Sequence, residues 1–236
     1  MPVIVIKGNI FTSNCQTIVN TVNCVGVMGA GIALECRLRY PDMFERYVQL
    51  CDAGQIEIGK LWIYKSDRWV LNFPTKKHWK YPSKIEFLEA GLEKFVDTYR
   101  DKGVESIAFP LLGADKGGIP PQDSLSVMRR YLEDLDINIE IYQYDPSAKD
   151  DLFAVTKAWM LSKDASELSR LAGIRPQYVA KVLEAIERPD IAQLNQLARV
   201  NGIGIRTMES IFRASRSVGP EGGGDHNASG QGTLPL

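Results

Sequence analysis

Two glycine-rich stretches in this chain have spacings suited to holding an anion. In VNCVGVMGAGIALE (residues 22–35), Gly26, Gly29 and Gly31 stand between an apolar run and an amphipathic one. Their order, G-x-x-G-x-G, is the reverse of the dinucleotide fingerprint. FPLLGADKGGIPP (109–121) also follows an apolar run and precedes an amphipathic one. Amides in a glycine turn or at a helix N-terminus point outward and favour a phosphate or diphosphate. Taken singly, either stretch also reads as a tight strand-to-helix turn that needs positive φ. Asn20 and Asn23, just ahead of the glycines of the first stretch, offer the donors and acceptors that ribose hydroxyls require. Two such loops at the ends of neighbouring strands would grip one diphosphate from both sides, beyond the carboxyl ends of the sheet. The block NFPTKKHWKYPS (72–83) then brings Lys76, Lys77, His78 and Lys80 together. Beside a phosphate site this is a functional loop; by itself it is a solvated basic turn.

Elements must exist to position these loops. Short apolar runs (PVIVIKG, QTIVNTVNCV, GKLWIYK, DRWVLNFP, ESIAFPLLG, INIEIYQYDP) alternate with the helical patterns GIALECRLRYP, SKIEFLEAGLEKFVDTYRDK and residues 121–134. Buried strands flanked by amphipathic helices predict an α/β layered domain with a mixed sheet. A hydrophobic share of 44% and a charged share of 24% are those of an ordinary globular protein. No apolar stretch approaches the roughly 20 residues that span a bilayer, so no membrane association is expected. The start, MPVIVIKGN, lacks the pattern of a signal peptide, which leads us to expect a cytoplasmic location. Cys15, Cys24, Cys36 and Cys51 show no C-x-x-C spacing and the two histidines lie far apart, so neither zinc nor any other cofactor is expected.

The segments KGNIF, IVNTVNCVGVMGAGIALECRLRYP, NFPTKKHW..PS and PLLGADKGGI, in this order, resemble a macrodomain, the ADP-ribose-binding fold. More narrowly they resemble the DNA ADP-ribosyl glycohydrolase antitoxins of DarTG-type toxin–antitoxin systems, over about residues 3–146. The resemblance implies a three-layer α/β/α fold and removal of ADP-ribose from thymidine bases of single-stranded DNA, reversing a DNA ADP-ribosyltransferase toxin. Related macrodomains instead dephosphorylate ADP-ribose 1″-phosphate, or read ADP-ribose without catalysis and act as regulators. Carried over by residue, Gly26, Val27, Met28, Gly29, Ala30, Gly31 and Ile32 form the first phosphate loop. Gly113, Ala114, Asp115, Lys116, Gly117, Gly118 and Ile119 form the second. Gly8, Asn9 and Ile10 border the adenine, with Asn9 standing where many macrodomains have Asp. Tyr142 and Tyr144 share a strand face by alternation, and Tyr144 is placed in the site. The resemblance puts the catalytic lysine at Lys76, directly after Thr75, with Lys80 as the fallback. Neutral, that amine attacks the anomeric carbon or its opened aldehyde; charged, it protonates or polarises the departing base. The neutral role needs a depressed pKa, which Lys77 would encourage. A related branch has an acidic residue in the second loop, but ungapped alignment puts Gly117 there. Asp115 is therefore expected to be an exposed turn residue, and the mechanism to rest on Lys76 alone.

The remainder reads differently. We expect a macrodomain over 1–150, a linker over 151–164, a small all-α domain over 165–215 and a disordered tail over 216–236. In residues 165–184, apolar Leu168, Ala172, Ile174, Val179 and Val182 fall where two helices pack across a turn at Gly173. The pattern resembles Cro/repressor-like helix-turn-helix domains, which would set Gln177, Tyr178, Lys181 and Arg188 against duplex DNA. Residues 165–216 carry eight Lys/Arg against five Asp/Glu, a mild excess. Rival readings are a helix-hairpin-helix, whose Gly202–Gly204 amides take a phosphate, and a helical module that packs on the macrodomain or binds the toxin.

Overall fold

The computed structural model describes residues 3–217, which divide into two compact units, 3–145 and 146–217. The first holds strands β1 (Ile4–Gly8), β2 (Thr17–Asn23), β3 (Trp62–Tyr64), β4 (Trp69–Lys76), β5 (Ser106–Pro110) and β6 (Asn138–Tyr144). Its helices are α1 (Gly31–Arg39), α2 (Pro41–Asp52), α3 (Ile85–Lys102) and α4 (Pro121–Leu132). The strands form one sheet in the order β1-β6-β5-β2-β4-β3, parallel throughout except for β3, which runs antiparallel to β4. This is the mixed sheet that the alternating runs predict.

Side chains leave the strands on alternate faces, and each face has its own core. Val19, Leu71, Phe73, Ile107, Phe109 and Ile141 pack with Leu88, Leu92 and Phe95 of α3 and Met128 of α4. On the other face Ile18, Val22, Val70 and Ala108 pack with Cys36 of α1 and Met43, Tyr47 and Leu50 of α2. The result is three layers. One glycine fixes the seat of α3: a Cβ on Gly91 would lie 2.2 Å from Phe73 Cζ. Phe73 is fully buried, and burying such a side chain stabilises the fold by roughly 1.5–3 kcal/mol. Any side chain at Gly91 would lift the helix from the strand that ends in Lys76. Helix α2 is a finding beyond the sequence reading. The helix expected to end before Pro41 does so at Arg39, but Pro41 then opens α2 from a first-turn position, where its missing N–H costs nothing.

The second unit contains α5 (Asp151–Leu161), α6 (Ala165–Ala172), α7 (Pro176–Ile186) and α8 (Ile205–Ser217), with a 3₁₀ turn at Leu194–Arg199. Most of residues 151–164, expected as a linker, are therefore helical. Asp150 Oδ1 caps α5 by accepting from the amides of Leu152 and Phe153, and Phe153, Thr156 and Met160 are buried. An N-cap aspartate ahead of an apolar run was the available signal. The two helices expected across Gly173 form, and Gly173 ends α6 at φ 63°. Of the expected tail, residues 216 and 217 complete α8 and 218–236 lie outside the described residues. Among the described residues no helix is long and apolar enough to cross a membrane.

Candidate active site

The sheet opens where the two glycine loops leave it. Strands β2 and β5 are neighbours, but their ladder holds only Thr17–Ile107 and Ile18–Ala108 before the strands part toward their carboxyl ends. From β2 the chain passes through α1 and α2 to β3 and β4 on one side; from β5 it passes through α4 to β6 on the other. Such a reversal of direction is where open α/β sheets place a ligand crevice. Exposed apolar side chains gather at this edge: Val25 and Val27 beyond β2, Trp79 and Tyr81 beyond β4, and Tyr144 at the end of β6.

Asn23 organises the first loop. Its Oδ1 accepts from the amides of Val25 (3.0 Å) and Val27 (3.3 Å), and its Nδ2 donates to Val27 O (2.6 Å). Tyr47 Oη donates to Asn23 O at 2.6 Å, and burial pushes its phenol pKa far up, so the proton stays in place. Asn23, expected at the ribose, thus has its amide committed to shaping the loop. Asn20, also expected there, is fully buried: its Nδ2 donates to Asn72 Oδ1 at 2.9 Å across the β2–β4 ladder. Met28 is buried beside it in the core, so its side chain likewise faces away from a surface ligand. Gly26 and Gly31 take positive φ (74° and 55°), Val27, Gly29 and Ala30 are exposed, and Ile32 is partly buried. Ala30 caps α1 without a side-chain hydrogen bond, leaving the first-turn amides to the loop mouth.

The second loop is closed on itself. Ile119 N donates to Gly113 O at 3.0 Å, and Ser83 N donates to Gly117 O at 2.9 Å. A Cβ on Gly117 would meet Gly113 O at 2.2 Å, so this glycine, with buried Gly113 and Ile119, serves packing. Gly118 differs: at φ 80° it has no atom within 4 Å of a built Cβ and faces open space. Ala114 is partly buried, while Asp115 and Lys116 are exposed. Helix α4 begins at Pro120–Pro121, where the second proline occupies its first turn without an N–H. The anion-binding capacity of this side therefore lies in the loop amides rather than in the helix end.

Lys76 links the two loops. Opposite β2, Val22 pairs with Pro74 but Asn23 pairs with Lys76, so Thr75 is an extra residue, a bulge that re-aims the lysine after it. Pro74 is tolerated because β3 pairs only with Val70, Leu71 and Asn72. Thr75 is buried. Beyond it the Lys76 amine donates to the carbonyl of Lys116 in the second loop. The Lys76 carbonyl accepts from Cys24 Sγ at 3.3 Å in the first, and burial pushes that thiol up to about 11, keeping its proton. Desolvation lowers the Lys76 pKa, Asp115 pulls it back up, and Lys116 lowers it. Partial burial and Lys116, rather than the expected Lys77, are what depress it. Asp115 is the exposed turn residue expected, but Lys76 does not stand alone: the Asp115 carboxylate raises its pKa, and a Cβ on Gly31 would lie 3.8 Å from Asp115 Oδ2.

At the far end of the crevice Gly8 pairs with Tyr144 in the β1–β6 ladder. Tyr144 is exposed, whereas Tyr142 is buried and donates to Glu140 Oε2 at 3.1 Å. Asn9 is buried, and its Oδ1 accepts from Phe11 N at 3.1 Å, capping the turn Ile10–Thr12; Ile10 is buried as well. In the helical unit Gln177, Lys181 and Arg188 are exposed and Tyr178 is partly buried. Arg188 lies beyond α7 and is paired with Asp190 through two hydrogen bonds of 2.9 and 2.7 Å.

A three-layer domain with a mixed sheet and two glycine loops at a strand divergence belongs to a class of nucleotide-ligand-binding folds. Its relatives define it further. Residues 19–128 match the Macro domain family model. The macrodomain of Thermus aquaticus DarG has a TM-score of 0.57 at 38% identity, covering 60% of this chain and 97% of that one. The Thermosipho africanus DarTG structure in complex with ADP-ribose has a TM-score of 0.58 at 34% identity, covering 61% and 42%. The chain is 40% identical over 146 residues to the Thermus aquaticus DNA ADP-ribosyl glycohydrolase, covering 60% of this chain and 40% of that protein. To the Mycobacterium tuberculosis DNA ADP-ribosyl glycohydrolase it is 41% identical over 122 residues, covering 50% of this chain and 35% of that protein. The chain belongs to the macrodomain family. It spans 35–40% of the length of the curated relatives it matches.

Proposed function

We propose that this protein is a DNA ADP-ribosyl glycohydrolase that releases ADP-ribose from modified thymidine in single-stranded DNA, in the cytoplasm. The observation that carries the reading is Lys76: a partly desolvated amine, lowered in pKa, reaching from the end of β4 to the second glycine loop. A reader of ADP-ribose needs no such amine. The diphosphate lies between the exposed edges of the loops, at Gly29–Gly31 and Gly118, with the adenine toward Gly8 and Tyr144. In the reaction the bond between the anomeric carbon and the base nitrogen breaks. The base leaves with a proton, and water supplies the hydroxyl of the released ADP-ribose. Neutral Lys76 adds to the anomeric carbon or its opened aldehyde and is released by water. Asp115 tunes the amine and receives its proton. The names of the relatives, DNA ADP-ribosyl glycohydrolases and a DNA ADP-ribosyl transferase–glycohydrolase fusion, support an antitoxin role against a DNA ADP-ribosyltransferase. Incubation with single-stranded DNA bearing ADP-ribosyl-thymidine should release ADP-ribose. Intact substrate after prolonged incubation would overturn the proposal.

The helical unit has a second part in this reading: it contacts duplex DNA through Gln177, Tyr178, Lys181 and Arg188. The helix–turn–helix of α6 and α7, closed by Gly173, supports it.

A further inference from the structure

Between Lys76 and the start of α3 the chain runs through KHWKYPSK, residues 77–84, and each of the positions 77–81 carries a ring or a positive charge. Lys77, Lys80 and Lys84 are exposed, and no carboxylate interrupts residues 72–85. Trp79 and Tyr81 are 49% and 65% exposed, which is unusual for rings of this size. They are not loosely held. His78 stacks on Trp79 with centroids 5.6 Å apart and planes 25° apart, and its ring lies 5.5 Å from that of Tyr81. Lys80 N donates to His78 Nδ1 at 3.2 Å, and Tyr81 N to His78 O at 3.1 Å. The segment is tied at both ends to the glycine loops: Cys24 N donates to Lys77 O at 3.3 Å, and Ser83 N to Gly117 O. An aromatic row interleaved with cations is thus bracketed between the two glycine loops, directly after Lys76 in the chain.

We infer that this segment is a platform for the DNA strand that carries the modified base: neighbouring bases stack on Trp79 and Tyr81, and Lys77, Lys80 and Lys84 receive the phosphates. The inference rests on the proposed function, which fixes where ADP-ribose sits and therefore where its DNA emerges. Only a single strand can use these rings, because a duplex offers base edges in its grooves and keeps base faces stacked. Aromatic rings with interspersed cations are the general means of holding a single strand without reading its sequence.

The test uses the full chain. Binding of an unmodified oligothymidine is followed by fluorescence anisotropy at low salt, and turnover is measured on a modified oligonucleotide and on the modified mononucleotide. In the double variant Trp79→Ala/Tyr81→Ala, oligonucleotide affinity should fall by at least about tenfold. KM for the modified oligonucleotide should rise while kcat, and kcat/KM on the mononucleotide, stay at wild-type values. Trp79→Phe, which keeps a flat ring, should restore much of the binding. Wild-type oligonucleotide affinity in the double variant would overturn the inference, as would loss of capture of a protein partner with DNA binding intact. If the wild-type protein releases ADP-ribose from neither substrate, the glycohydrolase reading fails. The platform is then still judged by oligothymidine binding alone.

Discussion

Cationic side chains are placed differently in the two units. In the α/β unit Lys76 is drawn partly out of water, and its amine is held on a backbone carbonyl between two loops. In the helical unit the comparable charges stay in solvent or meet a local partner. Arg188 is bound to Asp190 two residues on, and Lys181 lies over Gly202, where a built Cβ would meet its Nζ at 2.3 Å. A cation that has lost water has a shifted pKa and a fixed direction, both of which chemistry requires. A cation left at the surface keeps its water or its local partner, and it can still take a phosphate. The difference separates a site built for reaction from a surface suited at most to contact.

The sharpest way to break this comparison is to remove the desolvated amine. Lys76→Ala should lower release of ADP-ribose from modified DNA by about a thousandfold or more, while calorimetric affinity for ADP-ribose changes little. Wild-type turnover in this variant, with loss in Lys80→Ala, would move the chemistry to the fallback lysine. A smaller effect is expected where the loops meet open space. Gly29→Val and Gly118→Val should each weaken ADP-ribose binding at least tenfold, about 1.4 kcal/mol, because a branched side chain blocks backbone approach and, at Gly118, opposes φ 80°. Unchanged affinity in both folded variants would remove the diphosphate from these loops.

Period and punctuation carried the fold and the loops far, because strand alternation, Gly26, Gly31 and Gly118 leave local marks that a sequence shows directly. Contacts between distant segments leave no such marks. Asn20 reads as a ribose ligand until Asn72, on another strand, is found opposite it. Asp115 is the exposed turn residue its sequence suggests, but its influence on Lys76 and its nearness to Gly31 depend on how the second loop is placed. The bulge at Thr75 depends on register between β2 and β4, which neither strand encodes alone. Helix α5 is the contrary case: its cap at Asp150 is a local mark, and the sequence shows it ahead of an apolar run.

Asp115 gives a way to sharpen the account of the amine. Its carboxylate favours the ammonium form of Lys76 and raises a pKa that burial has lowered. Asp115→Asn removes that support, so the Lys76 pKa should fall further. If the neutral amine reacts, kcat/KM rises with pH through this pKa, and the rising limb should move to lower pH in the variant. If the ammonium acts as an acid, the same pKa governs a falling limb, which also moves down. The slope of the limb therefore identifies the role, and its displacement measures the coupling. A pH profile identical to wild type would show that the two groups do not communicate in the working enzyme.

The smallest effects belong to the helical unit. Among the described residues, both core clusters of the α/β unit draw their members from residues 3–142, so a chain ending at Asp145 should keep its turnover of a short modified oligonucleotide while losing affinity for duplex DNA. Within the full chain, Lys181→Ala and Arg188→Ala should each weaken duplex binding modestly, and each should reduce the slope of log affinity against log salt by about one. The losses should be modest because Lys181 must leave Gly202 and Arg188 must leave Asp190 before either meets a phosphate, and an exposed pair of that kind is only weakly held. Gln177 and Tyr178, at the start of α7, carry any preference between sequences, since amide and ring contacts rather than charge distinguish base edges. Should residues 146–236 bind no duplex at low salt yet capture the transferase, α6 and α7 form a clamp for that partner, and the contrast between the units becomes one of catalysis against protein recognition.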